Sequence, residues 1–216
     1  MQIKICGLTT PIEAIMLNEH QVDYAGMVLF FPKSKRNITI NQAEELIRVL
    51  DPSIKKVAVV VSPDANQVKE IEAAGFDYIQ IHGALDPELL LQIHLPILKA
   101  FNVKDMDQYP YYHSCPQVAG YVFDGTEPGS GKTFDWELIR SIPRDEKLLL
   151  LAGGLHPGNV GEAIAQVQPD GVDVSSGVEY ADQPGKDPER VAQFVEAVRA
   201  VPQGYPIGYD GLEIVL

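Results

Sequence analysis

Eight strand-like runs that alternate with amphipathic stretches predict an α/β protein, a single-domain (β/α)8 TIM barrel. The length of 216 residues suits one large core and is short for two domains. A doubly wound open sheet would give similar local patterns, but the count of eight favours closure of the sheet. A barrel also predicts that the functional site is built by the loops after the carboxyl ends of the strands.

The expected strands are short runs of apolar and β-branched residues bounded by turn residues. They cover residues 3–8, 24–30, 56–61, 78–82, 97–103, 118–124, 148–152 and 171–175. Each is followed by a loop, so the residue that closes each strand becomes a candidate for the site.

The helical stretches between the strands carry start and stop signals. "NQAEELIRVL" begins at Asn41, and "DANQVKEIEAAG" has Asp64 as its expected N-cap and Gly75 as its stop. A further helix, "FDWELIRSI", is expected near Asp135, and the last one follows Asp187 with a proline in its first turn. Only a short or irregular helix is expected in "KDMDQYPYYHSC" after strand five.

Residues 1–201 are expected to form the barrel domain. The remaining segment, 202–216, reads "PQGYPIGYDGLEIVL" and is rich in glycine, proline and tyrosine. We expect an irregular C-terminal extension there, packed on the surface or partly disordered, with a dimer contact as the alternative.

The composition limits the compartment and the partners. A net charge of −13 argues against nucleic acid and anionic membrane as partners, so an anionic ligand has to be met by local groups. Cys6 and Cys115 lie far apart in the sequence, which suits reduced thiols in the cytoplasm. Neither a signal peptide nor an uncharged run of 18 residues is present, so we expect a soluble, cytoplasmic protein, either a monomer or a homodimer.

The alternation of side chains along a strand predicts which residues near the strand ends point into the barrel. In "IKIC", Ile3 and Ile5 share one face, whereas Lys4 and Cys6 share the other and point into the barrel. Cys6 then stands at the upper, catalytic end, although a buried packing thiol is the common alternative. Asp173 on strand eight points inward beside Lys4 if the barrel closes, and an ion pair between them is expected.

Two further strand ends carry titratable groups. Asp124 closes strand six before the glycine-rich "GTEPGSGKTFDW", where a turn-forming or capping role is the alternative. His82 closes strand four and is a candidate substrate-binding residue, although a lone inward histidine is more often a satisfied core group. The five histidines show neither HxH nor HExxH spacing, so no metal is expected.

Two neighbouring loops of small residues predict a phosphate site. Gly153 and Gly154 lie in "LAGGLHPGNV" after strand seven, and Ser175, Ser176 and Gly177 lie in "DVSSGVE" after strand eight. Barrels commonly bind phosphate at this place through backbone N–H groups, which glycine leaves accessible. The alternative is that the glycines only turn the chain.

A second anion site is expected after strand two. "FFPKSKR" gathers basic residues in an otherwise acidic chain, and Arg36 could offer a bidentate fork to a carboxylate. Most such clusters are solvated loops. The pattern as a whole indicates a small-molecule, phosphorylated substrate.

Six stretches together resemble the phosphoribosylanthranilate isomerase family of tryptophan biosynthesis. They are "KICGLT", "FPKSKR", "IQIHG", "GSGKTFDW", "LAGGLHPGNV" and "VDVSSGVE", in family order from Lys4 to about Gly185. The resemblance implies a (β/α)8 barrel without a cofactor. It also implies that Cys6 is the general base, that Asp124 is the general acid and that Arg36 holds the anthranilate carboxylate.

The chain departs from the resemblance in the loop 125–131, which is short, and in the segment from residue 202. Bifunctional relatives that also serve histidine biosynthesis carry an aspartate where this chain has Cys6, so one substrate is expected. Two alternatives remain. A metal-dependent sugar-phosphate epimerase would need His and Asp ligands at strand ends, and a non-enzymatic barrel would bind substrate analogues without turnover.

Overall fold

The structure, a computed structural model, describes residues 1–125, 136, 139 and 142–202. Eight parallel strands form its sheet. They are β1 (Gln2–Cys6), β2 (Tyr24–Leu29), β3 (Lys55–Val61), β4 (Tyr78–His82), β5 (Ile97–Asn102), β6 (Val118–Asp124), β7 (Leu148–Leu151) and β8 (Gly171–Val174). Each strand pairs with the next along the chain, and a two-residue strand, Asn37–Ile38, adds to the end of β2.

Pairing between the first and last strands closes the sheet. β1 pairs with β2 and also with β8, where Lys4 lies opposite Asp173. An open doubly wound sheet would leave β1 and β8 without this mutual pairing. The (β/α)8 barrel expected from the sequence is therefore confirmed.

The expected strand boundaries hold to within two residues. The largest difference is at the end of β1, which stops at Cys6 because Gly7 takes a φ of +83° and the chain turns away. The backbone N–H groups of Gly7 and Leu8 both donate to the Gly26 carbonyl, at 2.8 and 3.0 Å. This turn places Cys6 at the rim of the barrel.

Helices cover the outside of the described barrel. They are α1 (Pro11–His20), α2 (Ile40–Val49), α3 (Ala65–Ala73), α4 (Pro87–Leu90), α5 (Tyr109–His113), α6 (Val160–Val167) and α7 (Pro188–Arg199). Within the described residues, no helix is both long enough and apolar enough to cross a membrane.

The expected helix caps are present. The Asp64 carboxylate accepts the backbone N–H groups of Asn66 and Gln67, both at 2.9 Å, and Asp187 caps α7 in the same way. The segment after β5 forms a 3₁₀ helix, Val103–Gln108, followed by the five-residue α5, which confirms the short or irregular helix. The helix expected near Asp135 and the extension beyond residue 202 lie outside the described residues.

The alternation along β1 sorts its side chains as expected. Ile3 and Ile5 belong to the apolar layer that also contains Leu17 of α1, whereas Lys4 faces the opposite side. The Lys4 Nζ donates to Asp173 Oδ2 at 2.8 Å, with both side chains buried. The predicted ion pair is therefore confirmed, and each charge has a partner in an interior where an isolated charge would be costly.

Candidate active site

A pocket of about 170 Å³ opens at the carboxyl ends of the strands. Most of the candidate site residues line it, although they come from strand ends and loops spread along the sequence. These are Cys6, Arg36, His82, Asp124, Gly153, Gly154, Ser175 and Ser176. The remaining candidate, Gly177, is not part of the lining. The pocket also holds apolar side chains such as Val28 and Phe31, so an aromatic group could pack beside the charged ones.

Cys6 reaches the pocket because the neighbouring strand carries a glycine. A side chain at Gly26 would place its Cβ 2.8 Å from Cys6 Sγ and 3.1 Å from Lys4 Nζ, so only glycine leaves room for both groups. Burial raises the pKa of the Cys6 thiol, and the positive charges of Lys4 and Lys186 oppose this rise without cancelling it. In the unliganded protein the thiol is therefore mainly protonated at neutral pH.

Asp124 closes β6 and faces the same pocket. Its Oδ1 accepts the Gly125 backbone N–H at 2.7 Å. Burial raises the pKa of Asp124 to about 6, and this hydrogen bond opposes the rise. The carboxyl group therefore keeps a proton to a higher pH than an exposed aspartate, which suits a group that donates a proton.

The Lys4–Asp173 ion pair lies in the barrel next to both groups. Burial disfavours the ammonium form of Lys4, but the Asp173 carboxylate raises the Lys4 pKa above its ordinary value, so Lys4 is charged. Asp173 Oδ1 is buried and accepts no hydrogen bond among the described residues, and Asp173 lines the pocket. Asp173 thus brings a spare carboxylate oxygen to the pocket lining, and the positive charge of Lys4 is buried beside it.

His82 is held in the neutral form. Its Nε2 lies 2.8 Å from Gln80 Nε2, and burial lowers the pKa of His82 to about 3, with Lys4 and Lys99 adding to the effect. A neutral imidazole can share a hydrogen bond with a ligand but brings no charge to it.

Arg36 crosses the end of β1 to reach the pocket. A side chain at Gly7 would overlap the Arg36 Cδ, so the glycine of "KICGLT" makes space for the arginine. The guanidinium already has a carboxylate partner, because its Nε donates to Glu179 Oε1 at 2.5 Å and its Nη2 donates to Glu179 Oε2 at 3.1 Å. Only Nη1 has no hydrogen-bond partner among the described residues. A ligand carboxylate would therefore meet a guanidinium whose other edge is occupied.

The two loops expected to bind phosphate lie side by side. Gly153 and Gly154 have φ values of +82° and +66°, a left-handed conformation that favours glycine. On the other loop, Ser175 Oγ donates to the Cys6 carbonyl at 2.9 Å, which ties this loop to the end of β1. A 3₁₀ turn, Ser176–Val178, follows.

Gly177 serves the contact between these loops. A Cβ at Gly177 would overlap the Leu155 carbonyl oxygen, so its lack of a side chain is required by the neighbouring backbone. Gly177→Val would therefore push the two loops apart, and it would not test phosphate binding with the fold intact.

Sequence reasoning missed two buried charged residues behind the pocket. Lys186 is fully buried, and its Nζ donates to the Ser175 carbonyl at 3.1 Å and to Glu179 Oε1 at 3.2 Å. Glu179 stood in the quoted "VDVSSGVE", and Lys186 stood in an ordinary polar loop. Neither shows a periodic pattern, and only tertiary pairing distinguishes them from solvated charges.

The comparison with protein families shows to which family the chain belongs. The family model described as N-(5'phosphoribosyl)anthranilate (PRA) isomerase matches residues 3–197. The chain belongs to this isomerase family. The match spans all eight strands, and it includes every candidate site residue.

Curated members of the isomerase family are similar over nearly their whole length. The N-(5'-phosphoribosyl)anthranilate isomerase of Streptococcus gordonii is 39% identical over 200 residues, covering 92% of this chain and 97% of that protein. The isomerase of Nitrosomonas eutropha is 38% identical over 209 residues, covering 93% and 97%.

Solved structures of the isomerase family share the fold. The phosphoribosyl anthranilate isomerase of Thermotoga maritima superimposes with a TM-score of 0.81 at 35% identity, covering 92% of this chain and 98% of that one. Another isomerase structure was solved in complex with reduced 1-(o-carboxyphenylamino)-1-deoxyribulose 5-phosphate. It has a TM-score of 0.78 at 32% identity and covers 92% and 98%.

Proposed function

We propose that the protein is a phosphoribosylanthranilate isomerase. It converts N-(5-phospho-β-D-ribosyl)anthranilate to 1-(2-carboxyphenylamino)-1-deoxy-D-ribulose 5-phosphate by an Amadori rearrangement in L-tryptophan biosynthesis. The observation that carries the proposal is that Cys6 and Asp124 face one pocket from β1 and β6 in a chain of this family. The related structure that holds a reduced form of the product supports it.

The rearrangement needs one acid and one base. Protonation of the ring oxygen opens the furanose to a protonated Schiff base, and removal of the C2 proton then gives an enolamine that tautomerises to the ketose. We assign the first proton transfer to Asp124, whose raised pKa keeps it protonated up to about pH 6. Cys6 as thiolate takes the C2 proton, which the iminium makes acidic. The positive charge of Lys4 and of the iminium favours that thiolate once substrate is bound.

The two anionic groups of the substrate suit two different groups of residues in the pocket lining. The phosphate is assigned to the backbone around Gly153, Gly154 and the Ser175–Ser176 loop, and the anthranilate carboxylate to Arg36. His82 is assigned to a neutral hydrogen bond with the sugar. No cofactor takes part in this scheme.

The direct test is the fluorescence decrease that accompanies consumption of phosphoribosylanthranilate by purified protein. We expect turnover that is unaffected by a chelator, with no turnover of the aminoaldose substrate of histidine biosynthesis. Loss of activity on chelation would favour a metal-dependent epimerase. Binding of a substrate analogue without turnover would favour a non-enzymatic barrel.

We further propose a cytoplasmic location and a monomeric or homodimeric state. Cys6 and Cys115 are both free, and a reducing compartment keeps the Cys6 thiol available as a base. Light scattering during gel filtration distinguishes the two assemblies.

The phosphate assignment predicts a charge-specific effect at Ser176. Ser176→Asp is expected to raise KM by roughly tenfold or more, because a carboxylate would stand next to the phosphate. Ser176→Asn adds a side chain of similar shape without charge and should leave KM within about threefold. Equal KM values for the two variants would move the phosphate away from this loop.

The carboxylate assignment predicts a ligand-specific effect at Arg36. Arg36→Met is expected to weaken binding of the reduced product by about ten- to a hundredfold, the range for a charge-assisted hydrogen-bonded pair. Binding of the corresponding phenylamino compound, which lacks the carboxyl group, should change little. Calorimetric titration of both compounds measures this, and an equal loss for both would indicate a general defect of the fold instead.

A further inference from the structure

Arg36 is held by one carboxylate from the loop after β8, a strand that is separated from β2 only by β1. Its Nε and Nη2 bind the two oxygens of Glu179, and this side-on pair fixes both the position and the plane of the guanidinium. The packing of the Arg36 stem over Gly7 restricts the rest of the side chain. Arg36 and Glu179 are 14% and 7% exposed, so the pair is largely removed from water.

Glu179 is itself fixed in a rigid frame. Its backbone forms an antiparallel bridge with Lys186, and the Asp187 N–H donates to the Val178 carbonyl at 2.9 Å. The Lys186 ammonium, fully buried, contacts Glu179 Oε1 from behind and also donates to Ser175. Two parts of the pocket lining, Arg36 and the Ser175 loop, therefore both contact one charge pair, Glu179 and Lys186.

Glu179 lies among several positive charges. One carboxylate faces three cations, namely Arg36, Lys186 and the exposed Lys35 at 2.7 Å. Burial alone would raise the pKa of Glu179, but the hydrogen bond from Arg36 and the charges of the lysines lower it to about 2. Glu179 is thus ionised throughout the working range.

We propose that Glu179 is a positioning residue that determines specificity for a carboxylated substrate, by holding Arg36 with its Nη1 edge available to the ligand and with Lys186 as its buried counter-charge. This inference rests on the proposed function, because it deepens the role given there to Arg36. Without Glu179, Arg36 keeps its charge but loses its fixed orientation, and ordering a long side chain on binding is costly. We expect this loss to outweigh the gain from removing one negative charge.

The test measures the ratio of the dissociation constants for two probes. These are reduced 1-(o-carboxyphenylamino)-1-deoxyribulose 5-phosphate and its phenylamino counterpart without the carboxyl group. Glu179→Gln removes the charge, and Glu179→Asp keeps the charge on a side chain too short to hold both nitrogens in place. Both variants are expected to lower the preference for the carboxylated probe by about tenfold or more, and Arg36→Met/Glu179→Gln should lose no more than Arg36→Met.

Two controls separate positioning from loss of structure. Glu45→Gln removes one exposed negative charge from α2 and should leave the preference unchanged. Because Glu179→Gln strands the buried Lys186, the variant Glu179→Gln/Lys186→Met removes the pair together and keeps the test valid if the single variant folds poorly. In steady-state assays, KM should rise much more than kcat falls.

The outcomes distinguish the two proposals. If Arg36→Met abolishes the preference while Glu179→Gln and Glu179→Asp retain it, or if Glu179→Gln binds the carboxylated probe more tightly, the positioning role is overturned and the proposed function stands. If the Glu179 variants weaken binding of both probes equally, the positioning role is overturned as well. If the parent protein binds neither probe, the proposed function fails and this inference fails with it.

Discussion

Replacing Cys6 with alanine is expected to lower kcat by about 100- to 10,000-fold, the usual range for loss of a positioned general base. The thiolate acts on the C2 proton in the transition state and adds little to ground-state binding, so KM should change far less than kcat. Cys6→Ser should be severely impaired as well, because a hydroxyl is a much weaker base than a thiolate. Steady-state kinetics of both variants beside the parent measure the effect.

Cys115 provides the matched control for Cys6. It is buried in the apolar layer outside the barrel, where its Sγ contacts the Tyr111 carbonyl at 3.3 Å, and it does not line the pocket. Cys115→Ala should therefore keep the parent kcat. If Cys6→Ala retained more than about a tenth of kcat, Cys6 would be a packing thiol and the base would have to be sought elsewhere.

Replacing Asp124 with asparagine is expected to lower kcat by a similar factor and to change the pH dependence of kcat/KM. Burial places the pKa of Asp124 at about 6 and raises that of Cys6 above its ordinary value, so the acid loses its proton before the base does. The reactive combination, protonated Asp124 with ionised Cys6, is then a minor species.

The order of the two pKa values determines whether kcat/KM rises or falls with pH in each range. Well below pH 6, Asp124 is protonated, and kcat/KM rises with pH because more Cys6 ionises. Between the two pKa values the gain in thiolate is balanced by the loss of protonated Asp124, so the profile is flat. Above the thiol pKa, kcat/KM falls because Asp124 continues to lose its proton.

In Asp124→Asn the flat region of the kcat/KM profile should disappear. The remaining activity should rise with pH up to the pKa of the Cys6 thiol. This variant also controls for the substrate phosphate, whose second pKa lies near 6. A break near pH 6 that persisted in Asp124→Asn would belong to the phosphate, and Asp124 would lose its assignment as the acid.

Local patterns in the sequence were sufficient for the barrel and for the strand ends. A strand has a period of two residues, so "IKIC" alone predicts that Lys4 and Cys6 share the inner face, and closure then predicts the pairing of Lys4 with Asp173. The site residues at strand ends could be located for the same reason, since the fold brings every carboxyl end to one rim.

The features of the site that the sequence did not predict depend on contacts between residues that are distant in the chain. Arg36 and Glu179 are 143 residues apart, and no local pattern shows that the guanidinium is already paired. Gly7 ends β1 and also provides space for Arg36, which no local pattern shows. The direction of the Cys6 pKa could not be predicted either, because it is a balance between burial and several charges whose distances only the fold determines.

The ion pair between Lys4 and Asp173 has a consequence for how the protein is made. Its partners are 169 residues apart, and the β1–β8 contact it accompanies can form only after the last strand has left the ribosome. The Ser175 hydroxyl also donates a hydrogen bond to the Cys6 carbonyl, between the ends of the same two strands. A nascent chain therefore carries its thiol long before it has the loop that would receive the phosphate, and a refolding chain cannot regain activity before the barrel closes.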